Sequence, residues 1–166
     1  MKIEPYIEKL ESSKEFKSYI GKSPNAYFSA GFFVLDFETN KNIHQIDYYD
    51  PKSKKMITFM LDGKKVEAKL AEMPKENKLK PGKIDGKINL DLDILKGIVQ
   101  DEMKNNMVTT KLQKIIAILQ TLDGKLIWNL NCITTDMGVV KVHVDDATHS
   151  ILKFEKINLF DIVKKL

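Results

Sequence analysis

Arginine is missing from this 166-residue chain: all 27 basic residues are lysine, set against 23 acidic residues for a formal net charge of +4. Arginine's planar fork is the usual bidentate reader of guanine, phosphate and carboxylate, so its absence argues against sequence-specific nucleic-acid binding and against an arginine finger. A charge of +4 spread along the chain is also too thin for a strong counterion-release footprint. Cysteine occurs once, as Cys132, so no intramolecular disulfide can form. No window approaches 18 uninterrupted apolar residues, and the opening MKIEPYIEKL carries two Glu and a Pro. That pattern excludes a transmembrane helix and an intact signal peptide. The expectation is a cytoplasmic protein, or an exported one whose signal peptide has been removed. Also missing are a Gly-rich phosphate loop, a Gly-x-Ser-x-Gly elbow, His-Glu-x-x-His and Cys-x-x-Cys. The chain is therefore expected to be no enzyme and to need no cofactor.

What is present is the patterning of a globular α+β chain, 43% hydrophobic and 30% charged. Pro5 opens a helix carrying Ile7, Leu10, Phe16 and Ile20, which Gly21 is expected to end. After Ser23-Pro24-Asn25, the run Ala26 to Phe37 is apolar on both parities and reads as a strand covered on both faces. Ile43 to Tyr49, Met56 to Leu61 and Val66 to Leu70 read as three further strands, with Asp62-Gly63 supplying the positive φ of a tight hairpin. Four strands in sequence order make an antiparallel meander.

MPKENKLKPGKIDGK, from Met73 to Lys87, is the connector, and the second half repeats the first. Leu92, Leu95, Ile98, Val99 and Met103 lie at helical spacing after Asp91. Strands follow over Thr110 to Gln120, Leu126 to Ile133, Val139 to Val144 and Ile151 to Glu155. A shift of 84 residues lays Phe28 to Asp62 on Leu112 to Asp146 without a gap, and Leu35, Lys41, Ile43 and Asp62 meet identical residues. This spacing predicts two tandem helix-plus-meander modules, residues 1–73 and 88–166, joined by a linker over 74–87, with sheets or helices packed together to enlarge two marginal cores. Ile157 to Leu166 reads as a short amphipathic helix.

Leu126-Ile127-Trp128-Asn129-Leu130, followed by Gly138-Val139-Val140-Lys141-Val142-His143-Val144-Asp145-Asp146-Ala147-Thr148-His149-Ser150-Ile151-Leu152, resembles the end of a PepSY domain. The resemblance covers about 60 residues from the second helix onward and, through the repeat, extends to the first half. It implies a helix on an antiparallel sheet, cystatin-like in outline, and a non-catalytic role in binding or inhibiting peptidases, often outside the cytoplasm. His149 stands where that family usually has Gly.

His143, Asp145 and His149, with Asp146 beside them, form the best metal-like set, since two imidazoles and a carboxylate can hold zinc. The competing reading has Asp145 and Thr148 bonding the turn backbone, with His149 in a left-handed conformation. Trp128, Leu130 and Cys132 alternate with Asn129 and Asn131, which makes Cys132 a small buried hydrophobe, and His44 stands where Trp128 does in the other copy. Asp47, Tyr48, Tyr49 and Asp50, with Tyr27 nearby, offer paired carboxylates for acid–base work or, more simply, a core edge and a turn. Ile57, Phe59 and Leu61 put apolar groups on the face where Lys141, His143 and Asp145 are polar, which marks them as a candidate contact surface for the other copy or for a second chain. Three functions follow: a non-catalytic module binding a peptide or protein, or its own second copy; a metal-dependent enzyme using His143, Asp145 and His149; and a binder of a small apolar ligand between helix and sheet.

Overall fold

The structure is a computed structural model and describes residues 2–63, 65–71 and 80–158. The predicted first helix is two. Helix α1 (Glu4–Glu11) stops at Ser12, and Ser13 starts α2 (Lys14–Lys22) by accepting the Phe16 N–H at 3.2 Å while its hydroxyl donates to the Leu10 carbonyl at 2.6 Å. A serine that satisfies orphan groups on both sides breaks the helix where apolar spacing alone would continue it. Helix α3 (Leu92–Asn105) is capped by Asp91, which accepts the Ile94 N–H at 2.8 Å.

Eight strands follow the sequence reading to within a few residues: β1 (Tyr27–Asp36), β2 (Ile43–Asp50), β3 (Lys55–Asp62), β4 (Lys65–Ala71), β5 (Leu112–Leu122), β6 (Lys125–Thr134), β7 (Gly138–Asp145) and β8 (Ile151–Asn158). They form one antiparallel sheet in the order β4-β3-β2-β1-β5-β6-β7-β8. The two meanders thus run outward from a shared centre and join edge to edge through β1 and β5, and among the described residues no second sheet packs on the first. Two features repeat at the 84-residue spacing. The central β1–β5 ladder pairs Phe33 with Ala117, and β1 and β5 each carry a register shift, at Phe28/Ala30 and at Leu112/Lys114. β8 runs through Ile157 and Asn158 as strand, and the rest of the predicted tail helix lies outside the described residues, as does most of the front of the linker.

Helices cover one face of the sheet. Under α3, Leu92, Leu95, Val99 and Met103 meet Trp128, Leu130, Cys132, Val140, Val142 and Val144, together with Phe33 and Leu35 from β1 and Ile3 from the N-terminal segment. One core therefore contains residues from both sides of the linker. Under α1 and α2, Leu10 and Phe16 meet Ile46, Tyr48, Phe59 and Leu61. Gly31 lets the Phe33 ring lie flat on β1: a Cβ there would stand 2.7 Å from Phe33 Cε2.

Phe59 and Leu61 are consequently core residues, 0% and 5% exposed, and Ile57 packs against the same cluster. The contact surface expected of these three is closed by the chain's own helices. The reason is one residue. Four residues (51–54) separate β2 from β3, but three (135–137) separate β6 from β7. The gapless alignment set Phe59 against His143. In the ladders Phe59 pairs with Ile46, and Val142 pairs with Ile46's counterpart Leu130. A one-residue slip turns every side chain of a strand to the opposite face.

Candidate functional site

The face opposite the helices carries no helix among the described residues. Alternation along the paired strands puts Phe32 and Val34 of β1 beside Ile116 and Ile118 of β5 at its centre, with Ile43 and Met60 next to them. None of these six belongs to the two cores under the helices. Val34 is closed off by its neighbours at 8% exposure, while Ile43 is open at 39%. The prediction that β1 is covered on both faces is thereby corrected: it is central in the sheet, but its second apolar face has no covering layer among the described residues. Gln45, Gln120, Asn129 and Asn131 flank this apolar centre, with Lys114 and Lys141 beyond them, and Ile127, Ile133 and Val139 share the face farther out.

On the β2–β3 side of this face sits Asp47. Its carboxylate accepts from the Thr58 hydroxyl at 2.7 Å and from Gln45 Nε2 at 3.3 Å. Burial pushes its pKa up, and those two donors only partly offset that. Tyr49 shares the face and meets the Tyr27 ring edge-on at 5.7 Å, whereas Tyr48 points under α2. Asp50 belongs to the turn, accepting from the Lys52 N–H and the Ser53 hydroxyl at 3.0 Å each. The structure thus separates the carboxylates that the sequence sets close together.

His143 lies on the open face in the middle of β7, between Asn129 and Lys153, and partial burial, then Lys153 and Lys141, hold its pKa below the ordinary imidazole value. Asp145 Oδ1 accepts the Ala147 N–H at 2.9 Å and the Thr148 N–H at 3.2 Å, and His149 sits in the turn at φ +62°. One oxygen of the carboxylate proposed as a ligand is therefore already committed to the turn backbone. Among the described residues, no group of three or more His, Cys, Asp or Glu is arranged to hold a metal ion.

The neighbouring Asp146 has a role the sequence reading missed. It is 1% exposed, and its Oδ1 accepts from Trp128 Nε1 and from the Leu90 N–H, both at 3.0 Å. Its Oδ2 accepts from the Asn89 N–H at 2.8 Å and from Asn89 Nδ2 at 3.2 Å. The available signal was Trp128 itself, since a fully buried indole needs an acceptor and the adjacent hairpin end holds the nearest carboxylates. Cys132 is fully buried, and desolvation pushes its thiol up to about 12, far from the thiolate a nucleophile requires. His44 stacks on Tyr6 at 4.1 Å, and burial lowers its pKa, with Lys9 adding to the effect.

These elements define an α+β protein built on one eight-stranded antiparallel sheet, with helices on one face and an apolar centre on the other. The fold is similar to a crystal structure of a protein from Clostridium difficile 630 named a "putative lipoprotein", with a TM-score of 0.58 and 14% identity over 86% of this chain and 90% of that one. No family model matches the chain, and no curated protein matches it. No helix among the described residues is long and apolar enough to cross a membrane.

Proposed function

We propose that the protein is a non-catalytic binding module whose partner, a protein or an extended peptide, docks on the open face of the sheet. The observation that supports this is the apolar centre formed by Phe32, Val34, Ile116 and Ile118 on a face that no described helix covers. β-Branched and aromatic residues on both parities of a central strand are what burial on both faces calls for. One of those burials comes from the helices, and on this reading the other comes from the partner. An apolar middle flanked by carboxamides and lysines supports a protein interface, dry at its core and more polar around it.

The test uses Phe32→Thr with Ile118→Thr, which place a strand-favouring β-branched residue at both positions while removing apolar area. Immobilised wild type and a His143→Ala control are expected to retain the same partner from extracts of the source cells, and the double variant to lose it with its melting temperature retained. If the double variant retains every protein the wild type does, the open face is not the docking surface.

The same reading includes a duplication: the mirrored strand order, the Phe33–Ala117 pair at the centre and the paired register shifts support descent of both halves from one helix-plus-meander unit. A PepSY or cystatin-like ancestry for that unit rests on the sequence resemblance. Export is proposed beside the cytoplasmic expectation because the similar Clostridium difficile protein is named a lipoprotein. Fractionation of source cells with an antibody to this chain decides between the two locations.

A further inference from the structure

A second site lies on the helix side, where the C-terminal end of α3 meets the start of β5. The groove there measures about 770 Å³, within the range of small-molecule sites. Phe37, Met103, Val108 and Leu112 give it an apolar floor, and Lys96, Lys104 and Lys111 stand around it against a single carboxylate, Asp101. Lys96 Nζ is 4.3 Å from the centroid of the Phe37 ring, which sets an ammonium directly beside the apolar floor. The end of a helix ordinarily repels anions through its free carbonyls. Here the carbonyls of Glu102, Met103 and Lys104 are taken by the N–H groups of Asn106, Val108 and Met107, so the lysines set the charge of the rim.

Gly97 is the independent observation. It occupies the interior of α3 and lines the groove, and apart from its chain neighbours and the adjoining helix backbone no heavy atom lies within 4 Å of the place its Cβ would take. Its φ is not positive. Glycine is the least favourable residue after proline inside a helix, and neither packing nor backbone conformation asks for it here. A side chain at this position would fill the groove. Glycine is accounted for if that space is used by something else.

We infer that this groove binds a small amphipathic anion, a medium-chain monocarboxylate, with its alkyl chain on Phe37, Val108 and Leu112 alongside Gly97 and its carboxylate among Lys96, Lys104 and Lys111. The site is separate from the open face, and its occupancy does not depend on the docking reading. Calorimetric titration of the full chain with sodium laurate, kept below its micelle concentration, tests it. Dodecyltrimethylammonium serves as the cationic probe of equal chain length.

Laurate is expected to bind saturably at one site and roughly tenfold or more tighter than the cationic amphiphile. Gly97→Leu, and separately Lys104→Glu with Lys111→Glu, should each weaken laurate by roughly tenfold or more, while Phe32→Thr with Ile118→Thr leaves it unchanged. The lysine pair keeps the test valid if Gly97→Leu fails to fold. The inference is overturned by equal binding of the two amphiphiles, by laurate binding lost only in the open-face variant, or by the absence of saturable binding.

Discussion

Replacing Asp146 separates a structural carboxylate from an incidental one, because its two isosteric and truncating variants should behave alike. In Asp146→Ala, Trp128 Nε1 and the N–H groups of Asn89 and Leu90 lose their acceptor in a site that is 1% exposed. Each buried donor left unsatisfied costs about 1–3 kcal/mol. Water entering the vacated volume recovers part of that, so the expected loss is about 3–5 kcal/mol, a large share of a typical domain's stability. Asp146→Asn keeps the shape but does not rescue. Both carboxylate oxygens accept from two donors, so whichever side takes the new NH2 faces two N–H groups with a third donor group. The neighbouring Asp145→Asn is different: its side chain serves an Asx-type turn that asparagine also makes, and the cost should stay under about 1 kcal/mol. Urea unfolding followed through Trp128, the single tryptophan, reads all four proteins. An Asp146→Asn variant within about 1 kcal/mol of wild type would refute the reasoning, since the paired-acceptor geometry permits no such tolerance.

Four further outcomes follow from named contacts. Trp128 emission should be blue-shifted and resist iodide quenching, because the side chain is fully buried; Trp128→Ala should cost about 3–5 kcal/mol in urea unfolding followed by far-UV circular dichroism. Gly97→Ala should raise stability by about 0.5–1 kcal/mol, since the added methyl meets nothing and the helix gains propensity, whereas Gly31→Ala should lower it by about 1–3 kcal/mol by displacing the Phe33 ring. His44 has its folded pKa lowered by burial, so the unfolded chain binds the proton more tightly and stability falls as pH drops below the ordinary imidazole value. Thermal melts between pH 7.5 and 5 should show a shallower decline in His44→Phe than in wild type, and parallel curves would reject the assignment. Cys132 should remain unlabelled by a thiol reagent at pH 8 in the native protein and react fully in urea, as a buried thiol held up at about 12 requires.

Most of the fold was legible because its signals are local. Asp62-Gly63 and Asp123-Gly124 mark tight turns, Asp91 marks a helix start, and each strand carries its own alternation. What failed was whatever depends on counting across a turn or on a competing hydrogen bond. The gapless repeat carried Phe59 onto His143 because apolar residues occupy both parities of β3, so periodicity could not reveal the residue missing from the β6–β7 turn. Ser12-Ser13 was invisible as a helix break because the apolar spacing of Leu10 and Phe16 continues across it. In the site, Asp145 and Asp146 are adjacent and chemically identical. Their roles differ only because successive residues at a strand end point to opposite sides, one into a turn and the other under Trp128.

The same parity argument explains why the open face is a stronger functional signal than the histidine set. Two residues of the set, His143 and Asp145, belong to a hairpin with an ordinary local explanation, in which Asp145 Oδ1 accepts two N–H groups of the turn. The apolar surplus on β1 and β5 has no such local explanation: turns, caps and the helix-side cores are complete without Phe32, Val34, Ile116 or Ile118. A surface strand of an antiparallel sheet satisfies its fold with polar residues at those positions, as Lys141 and His143 do on β7 and Asn129 and Asn131 do on β6. The surplus is densest on the two strands where the meanders join and on their immediate neighbours Ile43 and Met60, the point farthest from both exposed edges of the sheet, with Ile127, Ile133 and Val139 farther out on the same face. β4 and β8, at those edges, carry Lys65, Lys69, Lys153 and Lys156, residues that discourage strand addition. Recognition through the face rather than the edge is therefore the mode this distribution favours, and it sets the order of experiment: substitutions at Phe32 and Ile118 should abolish docking where charge changes on β4 and β8 leave it intact.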